Sequence, residues 1–255
     1  MNLIMLAAMV VAAGLQYSPV SKDCVLDVRY PEGVTNFSTV VWLHSGGLST
    51  GNRHYIALRS SDIAQVAVEY RLHTKENGLQ GREIVRDAAA AIAWVLDHIA
   101  DYGGDPKRVY VAGHSAGGYL TMMTGMALWP LAEFGHKPSE LKGMITISGQ
   151  ATKHFGVRNF ANDCDPQFRP KIDELAPLAY VDTKGMPPLL NICGEPGYEW
   201  KCRAEENRLL VASCHACGNP NAWYVEMPFA DHGSVYYLSI DMIERFVKNG
   251  AKWPK

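Results

Sequence analysis

The sequence has little of what marks several protein classes. Cysteine is sparse, six in 255 residues, scattered at 24, 164, 193, 202, 214 and 217. That density excludes a small fold stapled by disulfides. Cys214-His215-Ala216-Cys217 has metal-like spacing but no second pair, and it falls inside an expected helix. Ordinary helix cysteines are therefore expected, not a metal or redox site. No block of lysine or arginine appears and the formal net charge is -2, which argues against nucleic acid as a partner. No run is long and apolar enough for a membrane span. Internal repeats and low-complexity segments are absent too. What remains is ordinary globular composition, 47% hydrophobic and 20% charged, enough to bury a sizeable core. The length fits one large α/β domain or two small ones.

The N-terminus departs from this. Residues 3–15 are almost wholly apolar, and Ala12-Ala13-Gly14 supplies small residues near a cleavage point. Two readings stay open for residues 1–16: a signal peptide, although no Lys or Arg precedes the run, or an apolar helix kept on the protein. Export to the periplasm or medium is the expectation; a cytoplasmic protein is the alternative. Residues 17–255 read as a single domain.

Along that domain short apolar runs alternate with longer amphipathic ones. Residues 25–30 alternate and stop at Pro31, which predicts an edge strand. Buried strands are expected at 39–43, 66–70, 109–112, 144–147, 189–192 and 223–227, and a short helix at 53–61. From 82 to 100, Ile84, Ala88, Ile92, Val95 and Ile99 recur on one helical face. Helices are also expected at 119–128 and 204–216, with Tyr236, Ile240, Ile243 and Val247 marking one face of a terminal helix. Residues 150–176 lack periodicity and carry prolines and clustered Arg and Asp. They read as a small cap-like insertion over the strand ends. Alternating strands and helices imply a mainly parallel sheet with helices on both faces, the α/β class. Ligands of such sheets bind at the carboxyl ends of strands.

The motifs sit at those ends. Gly113-His114-Ser115-Ala116-Gly117 is a G-x-S-x-G between a strand and a helix, the context of a nucleophile elbow. Serine is a weak nucleophile at neutral pH and needs a base. Of nine histidines, His232 alone lies in a loop after the last strand. The third member should follow the preceding strand, which ends at Cys193-Gly194. The usual position, three past that glycine, is Gly197, so the choice lies between Glu195 and Glu199. Glu199 is preferred because Glu195 sits against Pro196, close to the strand end. His44-Ser45-Gly46-Gly47 offers backbone N–H groups for an oxyanion from Gly46 and Gly47, joined by that of Ala116. Arg71 and Asp87 read as structural partners, and Asp163 and Asp231 lie outside the expected acid loop. In the insertion, His154, Phe155, Arg158, Phe160 and Arg169 either face the pocket or form solvated surface.

These motifs, with Tyr70-Arg71-Leu72, Gly103-Gly104-Asp105-Pro106 and the late Asp231-His232-Gly233, resemble α/β-hydrolase esterases of the hormone-sensitive-lipase and acetyl-xylan/feruloyl-esterase type. The resemblance runs over roughly residues 24–250 and departs from the family in lacking Gly-x-x-Asp in the acid loop. It implies a carboxylic-ester hydrolase with no metal or organic cofactor. The implied substrate is a small-molecule or oligosaccharide ester, with short acyl chains or acyl groups on plant polysaccharide. Two other functions fit the same scaffold: an amidase, formamidase or peptidase, and a non-catalytic binding protein. Nothing in the sequence bears on oligomeric state.

Overall fold

The computed structural model describes residues 8–163 and 165–254. Residues 1–7 of the apolar N-terminal run, and Cys164, lie outside the described residues. Eight strands form one sheet: β1 (Met9–Gln16), β2 (Val25–Pro31), β3 (Phe37–Leu43), β4 (Ile63–Val68), β5 (Gly104–His114), β6 (Gly143–Ile147), β7 (Leu189–Gly194) and β8 (Ala222–Met227). Their spatial order is β1-β2-β4-β3-β5-β6-β7-β8. The β1–β2 and β2–β4 pairs are antiparallel and the remaining pairs parallel. The helices are α1 (Gly81–His98), α2 (Ala116–Met126), α3 (Trp129–Ala132), α4 (Phe155–Phe160), α5 (Arg203–Ala216), α6 (Ser234–Leu238) and α7 (Ile240–Lys248).

The central strands are apolar on both sides because both faces are covered. Successive side chains of a strand point to opposite faces. Val41 and Leu43 of β3 accordingly join one core with Ile84, Ala88, Ile92 and Val95 of α1, and with Tyr119, Leu120 and Met123 of α2. Val40 and Trp42 join the opposite core with Ile243, Phe246 and Val247 of α7. A third cluster packs Met122 and Met126 of α2 against Leu210, Val211 and Cys214 of α5. The five residues of the α1 stripe are all fully buried, the last of them, Ile99, in the 3₁₀ turn Ile99–Tyr102 that continues the helix. Gly103, at φ 91°, reverses the chain into β5, a left-handed turn that favours glycine.

Three local expectations fail, each because distant partners outweigh local pattern. Met9–Gln16 is a strand, not a helix. It pairs with β2 and takes the sheet edge in place of residues 25–30, since the outer rim of β2 offers unpaired backbone groups. Residues 53–61 form no helix. Their amides bond far-off carboxylates instead, Arg53 to Glu69 and Arg59 and Ser60 to Glu244. The terminal helix is two helices, broken at Ser239, whose hydroxyl bonds back to the Val235 carbonyl. Among the described residues no helix is long and apolar enough to cross a membrane.

Candidate active site

Between β5 and α2 the chain turns at Ser115, held at φ 56° and ψ -114°. A non-glycine residue persists there only when its surroundings over-determine it, and such strain clusters at functional positions. The Ser115 N–H bonds the Ile147 carbonyl at 2.8 Å, and its own carbonyl receives the Tyr119 N–H as α2 begins. Two glycines make the turn possible. A Cβ on Gly113 would overlap the backbone of Gly117, and one on Gly117 would overlap the Leu43 carbonyl. The same closeness sets the end of β3 beside the elbow.

Ser115 Oγ lies 2.9 Å from His232 Nε2, and His232 Nδ1 lies 2.7 Å from Glu199 Oε1. The three residues come from the ends of β5, β8 and β7, so the parallel sheet delivers all of them to one edge. Glu199, not Glu195, reaches the imidazole. Glu195 instead accepts the Phe229 N–H at 2.7 Å and helps shape the loop that carries His232. Burial alone would raise the pKa of Glu199. The hydrogen bond and charge of His232, the Ser148 hydroxyl and the Trp200 N–H outweigh burial and lower it to about 2. With Glu199 ionised, His232 Nδ1 carries the proton and Nε2 is free to accept from serine. Trp200 stacks on the imidazole at 4.6 Å between ring centres.

The His44–Gly47 loop is braced from behind. The His44 ring is buried, stacks on Tyr70 at 4.2 Å and bonds the Ser45 carbonyl through Nδ1. Tyr70 donates its hydroxyl to the His44 carbonyl at 2.8 Å. Gly46 sits at φ 117°, and a Cβ there would overlap Thr50. Among the described residues no acceptor takes the N–H of Gly46 or Gly47. Ala116 opens α2, where the first amides have no partner within the helix.

Other expected residues fall elsewhere. Arg71 grips Asp87 with two bonds of 2.7 Å, a structural pair. Asp231 caps the turn ahead of His232 through the Gly233 and Ser234 N–H groups. Asp163 pairs with Arg158 and Lys171. Of the five insertion residues only Phe155 is placed beside the site. Its ring tip lies 3.8 Å from where a Gly47 Cβ would stand, and it packs on Trp200. Arg158 is neither pocket wall nor solvated surface. It is 2% exposed and its guanidinium gathers the carbonyls of Asp165, Pro166, Gln167 and Arg169. His154 is buried and caps α4 by accepting the Gly156 N–H. Phe160 stacks on His73, and Arg169 is exposed beside Asp165. Sequence reasoning missed Ser148 and Trp200, and named Phe155 only as one of five insertion residues. Ser148 carried a signal, because it directly follows β6 at the same carboxyl edge; Trp200 carried none. Cys214 and Cys217 are free, and the described residues contain no cluster of three or more metal-ligating side chains.

The model of the carboxylesterase family matches residues 5–168. The chain belongs to the carboxylesterase family. That match contains the His44–Gly47 loop and the elbow; His232 and Glu199 lie beyond it and rest on the geometry above. Human carboxylesterase 3 is 36% identical over 154 residues, 54% of this chain and 27% of that protein. Mouse carboxylesterase 1F is 33% identical over 148 residues, 52% and 26% respectively. The chain thus spans about a quarter of the length of these curated relatives. Among solved structures, a truncated carbohydrate esterase from gut microbiota superposes with a TM-score of 0.76 at 14% identity, covering 98% of both chains. A Thermogutta terrifontis esterase with butyrate bound gives 0.71 at 21% identity, covering 98% of this chain and 97% of that one. These likenesses establish the α/β-hydrolase fold for this carboxylesterase-family chain.

Proposed function

We propose that this protein is a serine carboxylic-ester hydrolase working through an acyl-enzyme. The observation that carries the reading is the unbroken line Ser115–His232–Glu199, at 2.9 and 2.7 Å. His232 Nε2 takes the Ser115 proton as Oγ attacks the ester carbonyl. Charge on the carbonyl oxygen is met by the N–H groups of Gly46, Gly47 and Ala116, the last at the positive end of α2. Glu199 fixes the tautomer and stabilises the imidazolium. The imidazolium then hands its proton to the leaving alcohol oxygen. Water, deprotonated by the same imidazole, attacks the acyl-enzyme carbonyl; the acid leaves and serine recovers its proton. No metal or organic cofactor has a step in this sequence.

The acyl group favoured is short. Phe155 and Trp200 stand over Gly47 and the imidazole and narrow that side of Ser115. Two of the structural neighbours point the same way, the Thermogutta esterase with butyrate bound and a second form with propionate bound. Ser115→Ala is expected to abolish hydrolysis of p-nitrophenyl acetate while the circular dichroism spectrum is preserved. Turnover undiminished in that variant removes the proposal.

A further inference from the structure

His114 fills the first x of G-x-S-x-G, and the chemistry above gives it no task. It is the last residue of β5, directly before Ser115. Its Nε2 lies 2.7 Å from the backbone carbonyl oxygen of His232, 118 positions later in the chain. From this bond we propose that His114 is a positioning residue for the general base: its imidazole ties the backbone of His232 to the strand that ends at Ser115. The proposal rests on the esterase reading.

The bond has a fixed direction. A carbonyl oxygen only accepts, so Nε2 of His114 carries the proton and donates it. Among the described residues no backbone N–H bonds the His232 carbonyl, so the His114 donor has no backbone rival there. Glu199 and Trp200 hold the His232 ring, one at Nδ1 and the other by stacking on its face. Neither contact is to the His232 backbone. The loop before it is strained: Phe229 sits at φ 59°, a conformation that persists only when its surroundings over-determine it. The His114 bond and the Glu195 carboxylate on the Phe229 N–H are two of those constraints.

The tie matters most once serine is acylated. Oγ then carries no hydrogen to donate, and the Ser115–His232 bond, 2.9 Å in the free protein, is gone. The imidazole must still stand where it can deprotonate water. A base about 1 Å out of place loses on the order of 10²-fold in rate. His114 keeps the spacing without the Ser115–His232 bond, because it adjoins Ser115 at the end of β5 and its backbone is fixed there against Ile147 of β6. Tyr236 packs against the His114 ring at 5.7 Å between centres and limits its rotation. The ring also does this without charge. Burial, and then the nearby His232, push its pKa down to about 4. A neutral ring 5.0 Å from His232 does not oppose the imidazolium that forms there, whereas a lysine or arginine donor would.

The test compares the full parent chain with His114→Gln and His114→Met. Glutamine places an amide nitrogen as many bonds from Cα as Nε2 of histidine; methionine matches its length and has no donor. On p-nitrophenyl acetate, kcat of His114→Met should fall on the order of 100-fold with KM within about twofold, while His114→Gln stays within about fivefold of the parent. The second readout is the downfield proton resonance of the His232 Nδ1–H held by Glu199. It should be sharp in the parent and in His114→Gln and broadened in His114→Met. A merely structural role would lower the melting temperature and leave kcat and this resonance unchanged. Should His114→Met not fold, His114→Leu takes its place as the variant without a donor. A kcat within about threefold of the parent in the donor-free variant overturns the proposal and leaves the esterase standing. An equal loss in the glutamine and donor-free variants also overturns it, because the N–H would then not be what acts. Hydrolysis of no ester by the parent overturns the esterase reading and the proposal with it.

Discussion

At the scale of single residues, Glu199 carries the sharpest consequences. Replacing it with glutamine keeps the shape of the acid loop but lets the imidazole adopt the wrong tautomer. The expected outcome is a loss of kcat on the order of 10⁴, with KM on p-nitrophenyl acetate little changed. Steady-state kinetics check this, and a loss under tenfold contradicts the role. The same carboxylate makes a pH signature in stability. Its folded pKa, about 2, lies below the unfolded value of about 4.3. Its contribution is therefore complete above the unfolded value and is lost as pH falls toward the folded one. The stability gap between the parent chain and Glu199→Gln should narrow over that window in urea titrations. The contact of Ser115 with His232 was legible in the sequence because each is tied to a strand end by motif or order. Glu199 was legible only as one of two glutamates. What separates them is loop conformation: Glu195 turns back to the Phe229 N–H, and residue spacing does not encode that.

At the scale of elements, strands with covered faces and the long stripe of α1 could be read directly, since their periodicity is the mark of the cores they build. The failures sit where a segment's partner is remote in sequence. An apolar run at 3–15 has no alternation to declare it a strand; the open rim of β2 makes residues 9–16 one. Arg158, read as pocket or surface, is a brace because carbonyls from the following loop converge on it. Deleting residues 1–16 would return β2 to the sheet edge with its outer N–H and C=O groups unpaired. The expected result is a melting temperature lower by several degrees and a growing aggregate fraction by size-exclusion chromatography. An unchanged melting temperature would contradict the role of β1 in the sheet.

At the scale of the whole molecule, the sheet converts sequence distance into contact. Ser115, Glu199 and His232 leave three parallel strands at one edge, β5, β7 and β8, and the loop after β3 closes over the same edge. The Ile147 carbonyl and the first turn of α2 hold Ser115 from both sides, so the strain there can persist. This is why a serine and a histidine 117 positions apart can act as a unit. The most direct measurement is reaction with a fluorophosphonate, followed by mass mapping of the adduct and repeated on His232→Ala. The account predicts one adduct per chain, on the peptide holding Ser115, forming orders of magnitude more slowly without His232. An adduct on another residue, or labelling of Ser115 at the same rate in His232→Ala, would contradict it.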